Sequence, residues 1–487
     1  MRLLVLCGLP LATALIVLGA PHFRRRRVPV VLLVTVAAAH LALVISLWTV
    51  PSRPALGGWL AADALGLTVL TLTSVLFFVT TIYIIGYIRR DAPPSGRVFT
   101  GCLLAFLAAA SIVSLAHHLA LLWVGMEATT LSVAPLVFLR RDRRSLEATW
   151  KYLVVSSVGI ALALLGTFFL SSAQGGSDLG YPLLLPDLIA HARELNPAWL
   201  RAAFLFLLVG FGTKMGLAPM HTWKPDTYGE APSLVGGLMA GALTSCAFLG
   251  VGRVTEVVAA AGLASFARPA LIAFGLVSLA VAATFIVGQG DVKRLLAYSS
   301  VEHMGLLVLG LGLGGVGAYG SMLHLVNNSL AKGWLFLVTG NIVLATGSAT
   351  AAANRGLIRT LPASAILLVL GLFAVTGSPP FGLFMSEFTI LRAAIDGGHP
   401  WIAAIVLVAL MIIFVGMAAL VLGITLGEPD AASRSQPVRE SPWLIVGPTA
   451  LAAVVLLLGL YIPEPLQEVL ARAAALLGGR AGGAGGP

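Results

Sequence analysis

"FGTKMGLAPMHTW", Phe211 to Trp223, places a lysine inside an apolar run and breaks the run directly after it. The run begins at Trp199. Lys214 lies within it, and Gly216 and Pro219 interrupt it before it can finish. A charged side chain at the centre of a membrane helix costs roughly 2.5–3.5 kcal/mol on insertion scales, so it needs a partner or a wet cavity. The break frees backbone amides and carbonyls that lipid cannot satisfy, so it must line protein or water. Together they describe a hydrated, titratable site at mid-membrane.

The rest of the chain supplies the membrane. Of 487 residues, 58% are hydrophobic and 10% charged, against about a quarter charged in soluble domains. Apolar stretches of about 20 residues recur from end to end, whereas a barrel would need alternating segments of roughly ten. The class is an all-α polytopic membrane protein. Fourteen runs are expected: 2–20, 28–50, 60–88, 98–115, 117–138, 150–172, 199–221, 231–258, 267–289, 294–313, 317–345, 361–392, 400–426 and 442–462. The interruption Ser171–Pro197 has room for a short interfacial helix. The segment Pro463–Leu477 reads as amphipathic, and the glycine-rich end after it as disordered.

Charge placement sets orientation and excludes a partner class. The formal charge of +10 comes from Lys and Arg clustered in alternate loops, which is a membrane pattern rather than a nucleic-acid surface. Nineteen fall on the side of Arg24–Arg27, including Lys224, Lys293 and Arg294; nine, including Arg253, fall on the other. The richer side is expected in the cytoplasm, with both termini outside the cell membrane. Arg24–Arg27 directly follow the first apolar core, which therefore reads as a transmembrane helix rather than a signal peptide. Cys7, Cys102 and Cys246 all lie in apolar runs and form no CxxC, so they suggest neither a disulfide framework nor a thiolate metal site.

Four ionisable residues sit deep in runs: Glu127, Lys214, Lys332 and Glu387. Two acids and two bases allow two pairs, one in each half of the chain. Run twelve is broken at Gly377-Ser378-Pro379-Pro380 much as run seven is broken at Gly216–Pro219, and matching broken helices in two halves are the mark of inverted-repeat transporters. His324 lies eight residues before Lys332, two turns along one face. His324 and His303 each read either as proton relays or as neutral core histidines. His117, His118 and His221 read as interfacial, Asp226 and Glu230 as residues around the opening of run eight, and Asp291, Lys293 and Arg294 as a solvated boundary. No metal-ligand spacing, nucleophile arrangement or redox-cofactor motif is visible, so no cofactor is expected.

"FGTKMGLAPMHTWKPDTYGEAPSLVGGLMAGAL", "DVKRLLAYSSVEHMGLLVLG", "NNSLAKGWLFLVTGNI" and "GSPPFGLFMSEF" resemble the antiporter-like proton-translocating subunits of complex I, of Mrp antiporters and of energy-converting [NiFe] hydrogenases. "SSVEHMG" and "PPFGLFMSEF" are most similar to the hydrogenase-4 component F branch. The resemblance implies two inverted five-helix repeats, residues 98–258 and 259–426, preceded by helices one to three (1–97) and followed by a last helix and tail (427–487). It implies Glu127 paired with Lys214, Lys332 as the lysine of run eleven, and Glu387 as the exit residue. Many relatives carry a bridging lysine on run eight, but here that stretch reads "MAGALTSCAFLG", with Ser245 near its place. The bridge must then use water, Thr244, Ser245, His303 or His324.

The function implied is proton or sodium movement by one membrane subunit of a hydrogenase or dehydrogenase complex, powered by that complex's peripheral redox arm. The alternatives are a Mrp-type cation/proton antiporter subunit, a complex I-type NADH dehydrogenase subunit, and a structural anchor whose ion pairs are static. An acid and a lysine 4 Å apart at an effective dielectric near 20 attract by roughly 4 kcal/mol. Moving a proton against about 150 mV costs roughly 3.5 kcal/mol. Making and breaking one such contact is enough to load and unload a lysine.

Overall fold

The computed structural model describes residues 1–19, 27–91, 93–175, 183–428 and 440–477. The arginines expected at 24–26, 434 and 439, and the glycine-rich end, lie outside these residues. The chain opens with α1 (Arg2–Gly19), α2 (Arg27–Thr49), α3 (Ala64–Arg90) and α4 (Gly96–Leu115). α5 (Leu119–Val137), α6 (Arg143–Ala173) and the short α7 (Leu185–Ala190) follow. Next come α8 (Pro197–Met215), α9 (Trp223–Glu230), α10 (Ser233–Leu238) and α11 (Thr244–Ala260), the last two joined by a π-helical turn at Met239–Leu243. α12 (Ala264–Ile286), α13 (Val292–Leu313) and α14 (Val316–Thr346) lead through the single turn α15 (Leu357–Thr360) to α16 (Pro362–Val375) and α17 (Gly382–Asp396). α18 (Pro400–Leu426), α19 (Pro442–Leu460) and α20 (Glu464–Leu476) complete it.

Among the described residues, thirteen helical segments are long and apolar enough to cross a membrane. The remaining expected run, 361–392, is the broken pair α16 and α17. The chain is an integral, multi-pass membrane protein. The ends of the helices follow local chemistry. α6 starts seven residues earlier than its apolar run because Asp142 and Ser145 form a reciprocal capping box. α8 starts at Pro197 under an Asn196 cap and stops at Met215, where Gly216 takes φ +81. α7 fills the place of the expected interfacial helix, and α20 that of the amphipathic segment.

Burial divides the helices into two classes. The most apolar windows of Ser233–Ala260 and Val292–Leu313 are 100% and 94% buried, whereas that of Pro400–Leu426 is only 33% buried. The central helices are therefore shielded from lipid, and they are the ones that carry polar side chains. Backbones come close where glycine permits. A Cβ on Gly275 of α12 would lie 2.8 Å from the Gly305 carbonyl of α13, and one on Gly210 of α8 would lie 2.6 Å from Ala163 N of α6. Such small-residue contacts are how membrane helices associate without a hydrophobic driving force between them.

Candidate ion-translocation site

The break after α8 is satisfied within the protein. Gly216 N–H donates to the Gly212 and Thr213 carbonyls, Ala218 N–H to Ser278 Oγ at 3.0 Å, and Trp223 Nε1–H to the Thr213 carbonyl at 2.9 Å. Lys214, on the last turn of α8, has no exposed surface. Its Nζ donates to Thr130 Oγ1 at 2.7 Å and to Tyr152 OH at 3.0 Å, and it stands 4.7 Å from the centre of the Tyr152 ring. Thr130 Oγ1 donates to Glu127 Oε2 at 3.3 Å, and Ser157 Oγ donates to the other oxygen of Glu127 at 2.9 Å. The expected direct pair is therefore a relay: among the described residues no ion pair includes Lys214. Thr130 is one turn from Glu127 on α5, which is why one hydroxyl can serve both charges.

The second half repeats this chemistry with an acid that the sequence reading passed over. Lys332, buried on α14, donates to Ser299 Oγ of α13 at 2.7 Å. Ser299 Oγ donates to Glu302 Oε2 at 3.3 Å. Glu302 is fully buried, and its Oε1 has no protein hydrogen-bond partner. The acid joined to Lys332 through a shared hydroxyl is thus Glu302 rather than Glu387. The signal was present in "SSVEHMG": Ser299 and Glu302 are spaced i, i+3, as Glu127 and Thr130 are.

Glu387 lies farther along, beside the break between α16 and α17. Gly377 adopts φ +63, and a Cβ there would collide with the Glu387 carboxylate, so the acid folds back onto the break. His303 Nδ1 and His324 Nε2 are 3.1 Å apart, and His324 Nδ1 is 2.9 Å from Ser386 Oγ. Ser386 spends its proton on the Leu383 carbonyl at 2.8 Å. It therefore accepts from His324 Nδ1–H, which leaves His324 Nε2 to accept from His303 Nδ1–H. This wire runs from the residue after Glu302 to the residue before Glu387. The ligating atoms of His303, His324 and Glu387 lie within 4.8 Å of one another. These are metal-ligand types: His324 Nε2 spends its lone pair on His303 Nδ1–H, while His303 Nε2 and Glu387 Oε1 have no protein hydrogen-bond partner.

Three cations assigned to loops are in fact buried. Lys224 on α9 has no exposed surface and donates to Ser300 Oγ at 2.9 Å. Lys293, read as part of a solvated boundary, is 2% exposed and caps the end of α9 by donating to the Gly229 and Ala231 carbonyls, both at 2.6 Å. Arg253 of α11 is also buried and forms a two-pronged ion pair with Asp63, the N-cap of α3, with Glu256 Oε2 at 3.7 Å. Burial would raise the Asp63 carboxyl, but Arg253 outweighs it and holds the group at about 2. His117, also buried, is lowered first by that burial and then by Arg253. Asp226 is a clamp rather than a cap: it accepts from Lys151 at 2.8 Å and Arg294 at 3.0 Å, pinning α9 between α6 and α13. Ser245 sits beside the π-helical turn, its Oγ 2.9 Å from Ser329 Oγ.

A family profile described as "NADH:quinone oxidoreductase/Mrp antiporter, TM" matches residues 116–413, the region holding every residue of both clusters. The hydrogenase-4 component F homolog of Methylacidiphilum infernorum (isolate V4) is 33% identical over 448 residues, covering 90% of this chain and 93% of its own length. A chain of an archaeal membrane-bound sulfane sulfur reductase matches with a TM-score of 0.88 at 22% identity over 98% of both chains. One of the Mrp complex from Dietzia sp. DQ12-45-1b matches at 0.86 and 21%, over 98% of this chain and 97% of that one. The two structural likenesses establish the fold, while the profile and the hydrogenase-4 relative establish descent. This chain belongs to the NADH:quinone oxidoreductase/Mrp antiporter transmembrane family.

Proposed function

We propose that the chain moves protons across the cell membrane as one subunit of a redox-driven complex, and that the complex is a membrane-bound [NiFe] hydrogenase. The observation that carries this reading is the paired chemistry: two fully buried lysines, each joined to a carboxylate through one hydroxyl. Removed from water, each ammonium is costly to maintain unless its acid is ionised. With acid and lysine about 6 Å apart and an effective dielectric near 20, the attraction is roughly 3 kcal/mol. That is close to the roughly 3.5 kcal/mol needed to move one proton against 150 mV. A small movement of a carboxylate relative to its hydroxyl therefore decides whether its lysine keeps a proton.

Protons enter near Glu127 and Lys214, pass to Lys332 and Glu302, and leave through His303, His324 and Glu387 at the break before α17. The helices are organised as the repeats 98–258 and 259–426, with both termini outside. The chain has neighbours in the membrane, because its relatives are subunits of membrane complexes, and the energy comes from a hydrogenase arm. Likeness to the Mrp complex favours one second reading, a cation/proton antiporter subunit needing no redox arm.

The test is to purify the chain with its native neighbours and reconstitute it into vesicles containing a pH-sensitive dye. Hydrogen-driven acidification that is lost in Lys214→Ala, with the complex intact, supports the proposal. Ion exchange without nickel or iron–sulfur subunits would replace it with the antiporter reading.

A further inference from the structure

The two lysine clusters need a connection, and the usual place for one is occupied by Ser245. Lys224 is the only other lysine among the described residues with no exposed surface. It stands on α9, the segment that resumes after the α8 break. Its Nζ binds Ser300, the residue next to the Ser299 that holds Lys332, so the two ammonium groups end on adjacent hydroxyls of α13. The same end of the side chain lies against the C-terminus of α8. A Cβ on Gly216, two residues past Lys214, would come within 2.8 Å of Lys224 Nζ. Glycine at 216 thus does two things: it ends α8 and it leaves the space that the end of the Lys224 side chain fills, two residues past Lys214.

The surroundings suit a carrier rather than a structural cation. No ion pair among the described residues includes Lys224. Lys332, His303 and His221 are near enough to interact with its charge, and Nζ stands 5.9 Å from the centre of the Tyr228 ring. A buried ammonium beside another cation and outside any ion pair gives up its proton readily. Its position is nevertheless fixed, because Lys151 and Arg294 clamp α9 at Asp226, two residues away.

We infer that Lys224 is the bridge that takes protons from Lys214 and hands them to Lys332, doing from the helix break what a lysine on the next helix would do. This rests on the proton-conducting reading above. In each step one N–H bond breaks on the donor ammonium and one forms on the lone pair of the neutral acceptor lysine, Lys214 to Lys224 and then Lys224 to Lys332.

The test compares Lys224→Met, Lys224→Arg and Ser300→Ala with Lys214→Arg in the reconstituted complex, with assembly checked by native gel and melting temperature. Lys224→Arg keeps the charge and the reach to Ser300 but does not deprotonate at accessible pH. Proton movement is expected to fall at least about tenfold in Lys224→Met and Lys224→Arg, and several-fold in Ser300→Ala, with assembly unchanged. Normal pumping in Lys224→Arg together with loss in Lys214→Arg would overturn the bridge alone. Normal pumping in both would overturn the route through titrating lysines on which the bridge rests. If Lys224→Met fails to assemble, Lys224→Arg and Ser300→Ala decide the question.

Discussion

The clusters around Lys214 and Lys332 use the same three groups in different settings. In each, an ammonium donates to a hydroxyl at 2.7 Å and that hydroxyl donates to a carboxylate at 3.3 Å. Glu127 is only partly buried and its second oxygen is held by Ser157, whereas Glu302 is fully buried with its second oxygen unpartnered. Glu127 thus has two side-chain donors, Thr130 and Ser157. Glu302 has only the Ser299 hydroxyl that also binds Lys332, so its one protein hydrogen bond runs through the lysine's partner. On the proposed route, this difference makes the first cluster the loading end and the second the switch, beside the histidine wire and Glu387.

Exchanging the charge carrier should have the largest effect. Lys332→Arg should reduce proton movement at least about 100-fold while the chain assembles, because guanidinium does not release its proton. Wild-type rates in vesicles would remove the second cluster from the route. Neutralising the acids should separate the two regions. Glu302→Gln is expected to cost roughly 30-fold and Glu127→Gln roughly 10-fold, since only Glu127 leaves its lysine with a second hydroxyl partner in Tyr152. The reverse order in a dye-quench assay would show that burial does not rank the two acids. Replacing Pro379 and Pro380 together with alanine should favour a continuous helix across the second break. Transport should fall about fivefold while Glu387 keeps its place; an unchanged rate would move the exit elsewhere.

The smallest effect on transport belongs to a pair outside both clusters. Asp63→Asn leaves Arg253 buried without its anion and should lower stability, not the rate per folded chain. The Asp63 carboxyl is held at about 2, below its ordinary 3.8. Its contribution, roughly 2 kcal/mol, is therefore present above pH 3.8 and lost as pH falls toward 2. Thermal melts of wild type and Asp63→Asn at pH 6 and pH 3 measure it, and a difference that grows on acidification would contradict this sign.

Much of this was legible in the residues. The apolar runs gave the spans to within a few positions at most ends, and Gly216 and Gly377 marked both breaks because only interrupted periodicity puts glycine and proline beside a buried charge. Lys214, Lys332, Glu127 and Glu387 stood out as isolated charges in hydrocarbon. Glu302 did not, because Ser299, Ser300 and His303 make its surroundings look polar already. Lys224 was read as a loop cation because Pro219, His221, Pro225 and Asp226 give the break a solvated composition. What buries it is the packing of α9 between α6 and α13, a tertiary fact that no local pattern records. Arg253 and Glu256, spaced i, i+3 at the end of a run, were visible in principle, but Asp63 is 190 residues from Arg253.

The central claim is that acid, hydroxyl and lysine act as one unit in each cluster. A double-mutant cycle on Ser299 and Glu302 tests it most directly, because each single change leaves measurable proton movement. If the carboxylate acts on Lys332 through Ser299, the Ser299→Ala/Glu302→Gln double variant should be no slower than Glu302→Gln alone, within about twofold. Losses that multiply would mean that Glu302 and Ser299 serve Lys332 independently, and the relay would be a coincidence of packing.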